Sequence, residues 1–188
     1  MAYIYKTNTT PTLATKATLS FWFKRGNLTV GDVFLFDGRI DANNRFKVAS
    51  NTADILEFWS TDGGSNIFQY ESTRKFRDPN AWMHICLTFD TTESDSADRI
   101  KVYINGVLET AWGTESDPPL NDDNIVFFES GAQQTIGAYW NGSGYSYPFG
   151  GSMSHVHFVD GTAYQASTFG ETDATSGIWK IKTSPSIT

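Results

Sequence analysis

Cysteine is almost missing from this chain of 188 residues: Cys86 is the single one. One thiol excludes an intramolecular disulfide, and with it the small, disulfide-stapled class of secreted scaffold. Within an alternating strand a lone cysteine reads as a buried, inert thiol rather than a nucleophile. Basic runs are missing too. The 14 Lys and Arg are outnumbered by 21 Asp and Glu, for a net charge of −7. Nucleic-acid binding rests on neutralising phosphates, so no nucleic-acid partner is expected. No apolar stretch approaches the ~20 residues that cross a bilayer, so no membrane partner is expected either. The first residues, Met1 to Thr7, hold no charged segment followed by an apolar one. The expectation is therefore a protein made in a cytoplasm that reaches any outside site by a route other than a signal peptide. Long 3.6-period segments, heptads, internal repeats and interdomain linkers are also missing. A chain of this length buries roughly 70% of its unfolded surface, enough for one core without metal or disulfide.

Alternation is what the chain has instead. In Trp82-Met83-His84-Ile85-Cys86-Leu87-Thr88-Phe89-Asp90, Met83, Ile85, Leu87 and Phe89 share one face, and Trp82, His84, Cys86 and Thr88 the other. In Arg99 to Ile104, Ile100, Val102 and Ile104 oppose Arg99, Lys101 and Tyr103. Period-two patterns of this kind are strands with one buried face, hence antiparallel, and a one-residue slip would turn every apolar side chain outward. Asn105-Gly106 accepts the positive φ of a tight turn. Further strands are predicted at 17–24, 32–37, 45–49, 54–60, 66–71, 124–128, 134–136 and 151–159, with a helical turn in 163–169 and a loop over 110–124. Residues 1–16, rich in Thr and carrying Pro11, read as an extended arm or edge strand, and 17–188 as a single domain. Tyr3, Ile4 and Tyr5 make the arm β-prone, so self-association through it or an exposed sheet edge is expected. Many short strands separated by Gly, Asn and Asp give an all-β sandwich or barrel.

Trp-x-His-Ile-x-Leu-Thr-Phe-Asp at 82–90, followed by Arg-Ile-x-Val-Tyr-Ile-Asn-Gly at 99–106, resembles the central strands of laminin-G-like domains of the concanavalin A-like superfamily. Phe149 to Gly161 is similar to the late strand of the same domains. The resemblance implies an antiparallel two-sheet jelly-roll sandwich. It also implies a structural role for His84 and, as in many relatives, calcium held by loop oxygens. Ala17 to Arg25, Phe76 to Trp82, Ser167 to Asp173 and Gly177 to Lys180 look like a variant common in structural proteins of tailed bacteriophages. That likeness implies a capsid-decoration or tail-fibre component at the virion surface. It would be made in the host cytoplasm and released by lysis, with other virion proteins and host-surface glycans as partners.

Candidate chemistry is sparse. Glucanases of the superfamily carry Glu-x-Asp-x-x-Glu on a strand, where paired carboxylates serve as nucleophile and acid. The nearest string here, Glu93-Ser94-Asp95-Ser96-Ala97-Asp98, ends in Asp and is polar throughout, so it reads as a solvated loop. Glu171-x-Asp173 lacks a third carboxylate. No catalytic residue and no enzyme activity are expected. His155 and His157, taken as sharing a strand face, could ligate a metal but have no third ligand nearby. No cofactor is expected. For calcium, Asp122, Asp123 and Asn124 cluster in one loop, and Asp41, Asn43 and Asn44 in another; calcium needs 6 to 8 oxygens from several loops.

The aromatics point to a site. Phe, Trp and Tyr make up 15% of the chain, more than the alternating core accounts for. Tyr139, Trp140, Tyr145 and Tyr147 lie in one Gly/Ser/Asn loop and Trp112 in another. Such rings stack on sugars, fill protein interfaces or pack over a sheet edge. The resulting first reading is a non-catalytic phage particle protein used for assembly and attachment. The second is a stand-alone carbohydrate-binding lectin module, and the third a glycoside hydrolase.

Overall fold

The computed structural model describes residues 2–26, 28 and 31–187. Its larger sheet runs β1 (Ile4–Thr7), β11 (Gln133–Ile136), β3 (Val33–Arg39), β4 (Arg45–Ser50), β5 (Leu56–Asp62), β6 (Ser65–Ser72), β10 (Trp112–Ser116). The smaller runs β14 (Gly151–Asp160), β2 (Lys16–Arg25), β7 (Met83–Asp90), β8 (Ile100–Ile104), β9 (Val107–Leu108). Every neighbouring pair is antiparallel. The two sheets pack face to face as the expected jelly-roll sandwich.

The alternation sets which side chains meet between the sheets. Leu19, Phe21 and Phe23 of β2 and Ile85, Leu87 and Phe89 of β7 face Phe46, Phe58 and Phe68 of the larger sheet, all buried. Rings meet edge to face or tilted, as aromatic quadrupoles prefer: Phe21 on Phe36 at 4.6 Å, and Phe46 on Phe127 at 4.4 Å. Asn105 and Gly106 have φ of 50° and 80°, which closes the β8–β9 hairpin as their sequence requires.

Three local expectations are corrected. The 110–124 segment contains β10, an edge strand paired to β6; its one-sided Trp-Gly-Thr-Glu-Ser sequence carries no alternating apolar signal. Residues 124–128 contain a 3₁₀ turn, Val126–Phe128, instead of a strand. All three of its residues are buried, so continuous apolarity here reflects a plug in the sandwich, and periodicity alone cannot tell the two apart. In β14 the register shifts between Ser154 and His157, and His155 has φ 48°. Two residues there oppose Phe21, so His155 and His157 do not share a face in simple alternation.

The outer face of the smaller sheet is covered. Trp22, His84 and Cys86 are buried because the chain beyond β14 folds back across them. That segment contains the 3₁₀ turn Ala166–Thr168 and the ribbon β15 (Gly170–Thr172) and β16 (Trp179–Ile181). Ala166 and Phe169 pack on Cys86, with Tyr164 and Trp179 alongside. Burial pushes the Cys86 thiol up to about 12, which keeps it unreactive at neutral pH. Thr88 Oγ1 donates to the Tyr164 carbonyl at 2.6 Å and Trp179 Nε1 to His84 Nδ1 at 3.0 Å.

The Trp179 indole lies against two glycines. A Cβ on Gly106 or on Gly170 would stand 2.5 Å from a ring atom. Gly170→Ala is therefore expected to displace the indole and lower stability by about 1–3 kcal/mol, the usual cost of overpacking. Urea denaturation and a red-shifted tryptophan emission would check it, and an unchanged midpoint would refute this placement of Trp179.

Candidate functional site: an aromatic face on the larger sheet

The larger sheet's outer face carries the residues that alternate with its core. On β4, Arg45 and Lys47 point away from Phe46 and Val48; on β5, Glu57 and Trp59 point away from Leu56 and Phe58. Over β3 lies a small hairpin, β12 (Tyr139–Trp140) paired with β13 (Tyr145–Ser146). Asn141 Oδ1 accepts from the N–H groups of Ser143 and Gly144, both at 2.9 Å. The Gly/Ser/Asn content is thus what lets the connection turn so tightly.

Asp37 anchors the hairpin. It is fully buried on the outer face of β3. It accepts from Trp140 N at 3.0 Å and from Arg45 Nη2 at 3.0 Å. Burial nevertheless pushes its carboxyl up to about 6, against the opposing pull of the Trp140 N–H and the Arg45 charge.

Around that anchor the rings form an array. Trp140 and Tyr145 approach to 4.7 Å, and Tyr3 from the N-terminal arm stacks on Tyr145 at 3.7 Å. Tyr139 meets Phe34 at 5.0 Å and Tyr147 at 5.8 Å. The Arg45 guanidinium lies 4.3 Å above the Tyr139 ring and 6.0 Å from that of Trp59, and the Lys47 ammonium lies 5.5 Å from Trp59. Gln133 donates to the Tyr145 hydroxyl at 3.0 Å. The Arg39 side chain, next to Gly142, makes no hydrogen bond or ion pair among the described residues. The result is a shelf of half-exposed rings edged by hydrogen-bond donors, which suits a ligand with apolar C–H faces and hydroxyl rims.

Of the five residues singled out in sequence, the structure gathers four: Tyr139, Trp140, Tyr145 and Tyr147. Trp112 stands apart. It begins β10 at the opposite edge of the sheet and packs on Tyr70 at 5.1 Å and Phe58 at 6.2 Å. It is core-facing rather than adjacent to the hairpin. Sequence reasoning missed Tyr3, Tyr5, Phe34, Asp37, Arg45 and Trp59. One signal was available: Trp59 falls on the polar register of an alternating strand, where a large ring has no core to fill.

The other candidates occupy ordinary structural roles. Asp95 caps a short 3₁₀ turn through Ala97 N, and Glu93 offers its carbonyl to Arg99 Nε. Glu171 and Asp173 both pair with Lys180. His155 bonds Ser154 Oγ at 2.6 Å, while His157 packs on Phe169. Asp41 accepts from the Asn43 and Asn44 N–H groups within its own turn. Asp122 accepts from Asn124 N at 3.0 Å, and its carboxyl is raised by burial and then by Asp123 and Asp62. No group of three His, Cys, Asp or Glu placed to hold a metal occurs among the described residues.

A cleft of about 460 Å³ lies elsewhere. It lies under the N-terminal arm, between Ile4, Asn8 and Pro11 on one side and Phe128 and Phe158 on the other. Of the aromatic shelf it touches only Tyr5. Volume marks the gap beside the two sheet edges; ring geometry marks the shelf, which is the better candidate because sugars bind on platforms as well as in clefts.

A laminin G-type family model, described as the concanavalin A-like lectin/glucanases superfamily, matches residues 2–169. Several solved structures share the fold. A heptameric SAP-like pentraxin from Limulus polyphemus is 14% identical with a TM-score of 0.55, over 83% of this chain and 68% of that one. Domain 4 of AbnA, an extracellular GH43 arabinanase from Geobacillus stearothermophilus in complex with arabinotriose, is 22% identical with a TM-score of 0.52, over 80% and 63%. The CBM40 of the Ruminococcus gnavus IT-sialidase, bound to α2,3 sialyllactose, is 13% identical with a TM-score of 0.56, over 85% and 90%. No curated protein sequence matches the chain.

Proposed function

The chain belongs to the concanavalin A-like lectin/glucanases superfamily, and from that premise we propose that it is a non-catalytic carbohydrate-binding module. Its ligand lies along the shelf formed by Tyr3, Trp59, Tyr139, Trp140 and Tyr145. The observation that carries this reading is the continuous run of rings from Tyr3 through Tyr145 to Trp140, on the sheet face that turns away from the core. Two of the structural neighbours support it in kind, since their names mention arabinotriose or sialyllactose.

The reading extends to place. The motifs resembling tailed-phage structural proteins spread over residues 17–182. They support a capsid-decoration or tail-fibre component that attaches the particle to host-surface glycans, made in the host cytoplasm and carried at the virion surface. Self-association would use the exposed edge β1, where Ile4 and Tyr5 are more than half exposed. The absence of a paired-carboxylate strand supports a module that binds without cleaving.

The test is binding of the whole chain to immobilised arabino- and sialo-oligosaccharides and to purified host polysaccharide. Truncating a contact ring that is a hot spot costs about 2 kcal/mol or more. Replacing Trp140 and Tyr145 together by Ala should then weaken binding well over ~10-fold, while the melting temperature stays nearly unchanged. A large fall in melting temperature with binding intact would assign these rings to packing. Release of reducing ends that disappears in Glu93→Gln, Asp95→Asn would make the protein an enzyme instead.

A further inference from the structure

Arg25 ends β2 and its side chain is only 3% exposed. Its Nη1 is committed, donating to Asp54 Oδ1 at 2.9 Å and to the Phe76 carbonyl at 3.0 Å. Nε and Nη2 are buried with no hydrogen-bond partner among the described residues. These two nitrogens form the side-on edge of the guanidinium, the fork that grips a carboxylate or phosphate through two parallel N–H bonds. Leaving both donors of that edge dry and unpaired is costly, and native structures seldom do so without a role for the group.

The surroundings match an anion. Arg25 lines a cleft of about 120 Å³ together with Arg74, Lys75 and Arg77. In a chain of net charge −7, this is a local concentration of cations. The nearby carboxylates are already engaged. Asp54 holds Arg25 and Arg77, each at 2.9 Å. Asp78 turns back to accept from Asn80 N at 2.8 Å. Glu109 Oε2 stands 3.2 Å from Arg74 Nη2 but outside hydrogen-bonding geometry, so that attraction is ionic only. Lys75 has no ion pair among the described residues. Phe23, Phe76 and Met83 supply the apolar wall, which lowers the local dielectric and strengthens a charge-assisted bond.

We propose that this cleft binds one oxyanion, a carboxylate or a phosphate, seated on the Nε–Nη2 edge of Arg25 and covered by Lys75 and Arg77. The volume suits a single anionic group rather than a whole sugar, given that one water occupies about 30 Å³ of liquid. The edge is closed to water in this structure, so entry requires a side chain of the cleft to move; Lys75 is exposed and has no ion pair among the described residues to hold it. The site shares no residue with the aromatic shelf and stands whether or not the shelf binds sugar.

Arginine Nε–H resonances of the ¹⁵N-labelled full chain, titrated with sodium acetate or sodium phosphate at constant ionic strength, test this. A saturable shift of the Arg25 resonance is expected. A response to acetate alone identifies a carboxylate source, such as an acidic sugar or side chain; a response to phosphate alone identifies a phosphate. Lys75→Ala removes an exposed side chain that has no ion-pair partner among the described residues, so the fold survives, and it should weaken the anion about fivefold. A stationary Arg25 resonance, a linear response that chloride reproduces, or equal affinity in Lys75→Ala would overturn the proposal.

Discussion

Asp54→Ala is expected to destabilise the chain by about 3–5 kcal/mol, because it removes the carboxylate that holds two cations, one of them wholly buried. Arg25 and Arg77 both donate to Asp54 at 2.9 Å, and the Asp54 carbonyl accepts from Phe76 N at 2.8 Å. The carboxylate thus ties the end of β2 to the segment that leads into β7. Its backbone adds a second constraint. Asp54 has φ 63°, a left-handed conformation that Asp and Asn tolerate and Ala does not. Asp54→Asn keeps the turn and loses only the charge, so it should cost clearly less than Ala. Urea denaturation of both variants checks the order; equal losses would mean that the ion pair, and not the backbone, dominates.

The second large effect concerns pH. Burial, with a smaller contribution from the His157 charge, holds His84 down at about 4 against an ordinary 6.5. The network explains why the neutral ring is needed. The Trp179 indole N–H can only donate, so Nδ1 of His84 must accept, and Nε2 then donates to Ser20 Oγ at 2.9 Å. Protonation would set one N–H against another beneath the ribbon. A depressed folded pKa means that the unfolded chain binds the proton more tightly. Stability from this group is complete above about 6.5 and is lost as pH falls towards about 4, by roughly 3 kcal/mol.

Asp37 acts in the opposite sense. Its folded value is raised from 3.8 to about 6, so the folded state binds the proton more tightly. Its contribution grows as pH falls from about 6 to about 4, again by roughly 3 kcal/mol. The two contributions therefore offset each other across the same window. Asp37→Asn removes one of them. Relative to the unmodified chain, it should lose roughly 3 kcal/mol more between pH 7 and pH 4, measured by urea denaturation at each pH. Parallel stability curves for the two proteins would refute the opposition.

Much of the architecture was legible because period-two alternation is a local property. Phe21 and Phe23, or Ile85 and Leu87, declare a buried face within a few residues, and the positive-φ turn at Asn105-Gly106 declares itself in two. What escaped depended on distance along the chain. Trp112-Gly-Thr-Glu-Ser becomes a strand because the edge of β6 offers partners, and nothing within the pentapeptide says so. Val126-Phe127-Phe128 is apolar enough for a strand but is recruited as a plug. The shelf shows the same division. Tyr139, Trp140, Tyr145 and Tyr147 were visible as rings in a loop too polar to need them. Tyr3 reaches Tyr145 only because β1 pairs with β11, and Arg45 reaches Tyr139 only because the hairpin lies over β3. Trp112 misled for the converse reason, since a ring outside a recognised strand can still be a core ring.

The placement of β2 governs how fast this molecule can be made. In the smaller sheet Leu19 lies opposite Leu87 on one side and Phe158 on the other. A strand synthesised near the beginning therefore waits for partners from the middle and from near the end. Loop closure over such separations must precede any return from burial, which puts folding in the slow, millisecond-to-second range of all-β topologies. Until then Leu19-Ser20-Phe21-Trp22-Phe23 is an uncovered apolar segment with strong strand propensity, able to join the same segment of another nascent copy. Lys16 on one side and Lys24-Arg25 on the other place positive charge at both ends of it, an arrangement that opposes stacking of identical chains while the segment waits.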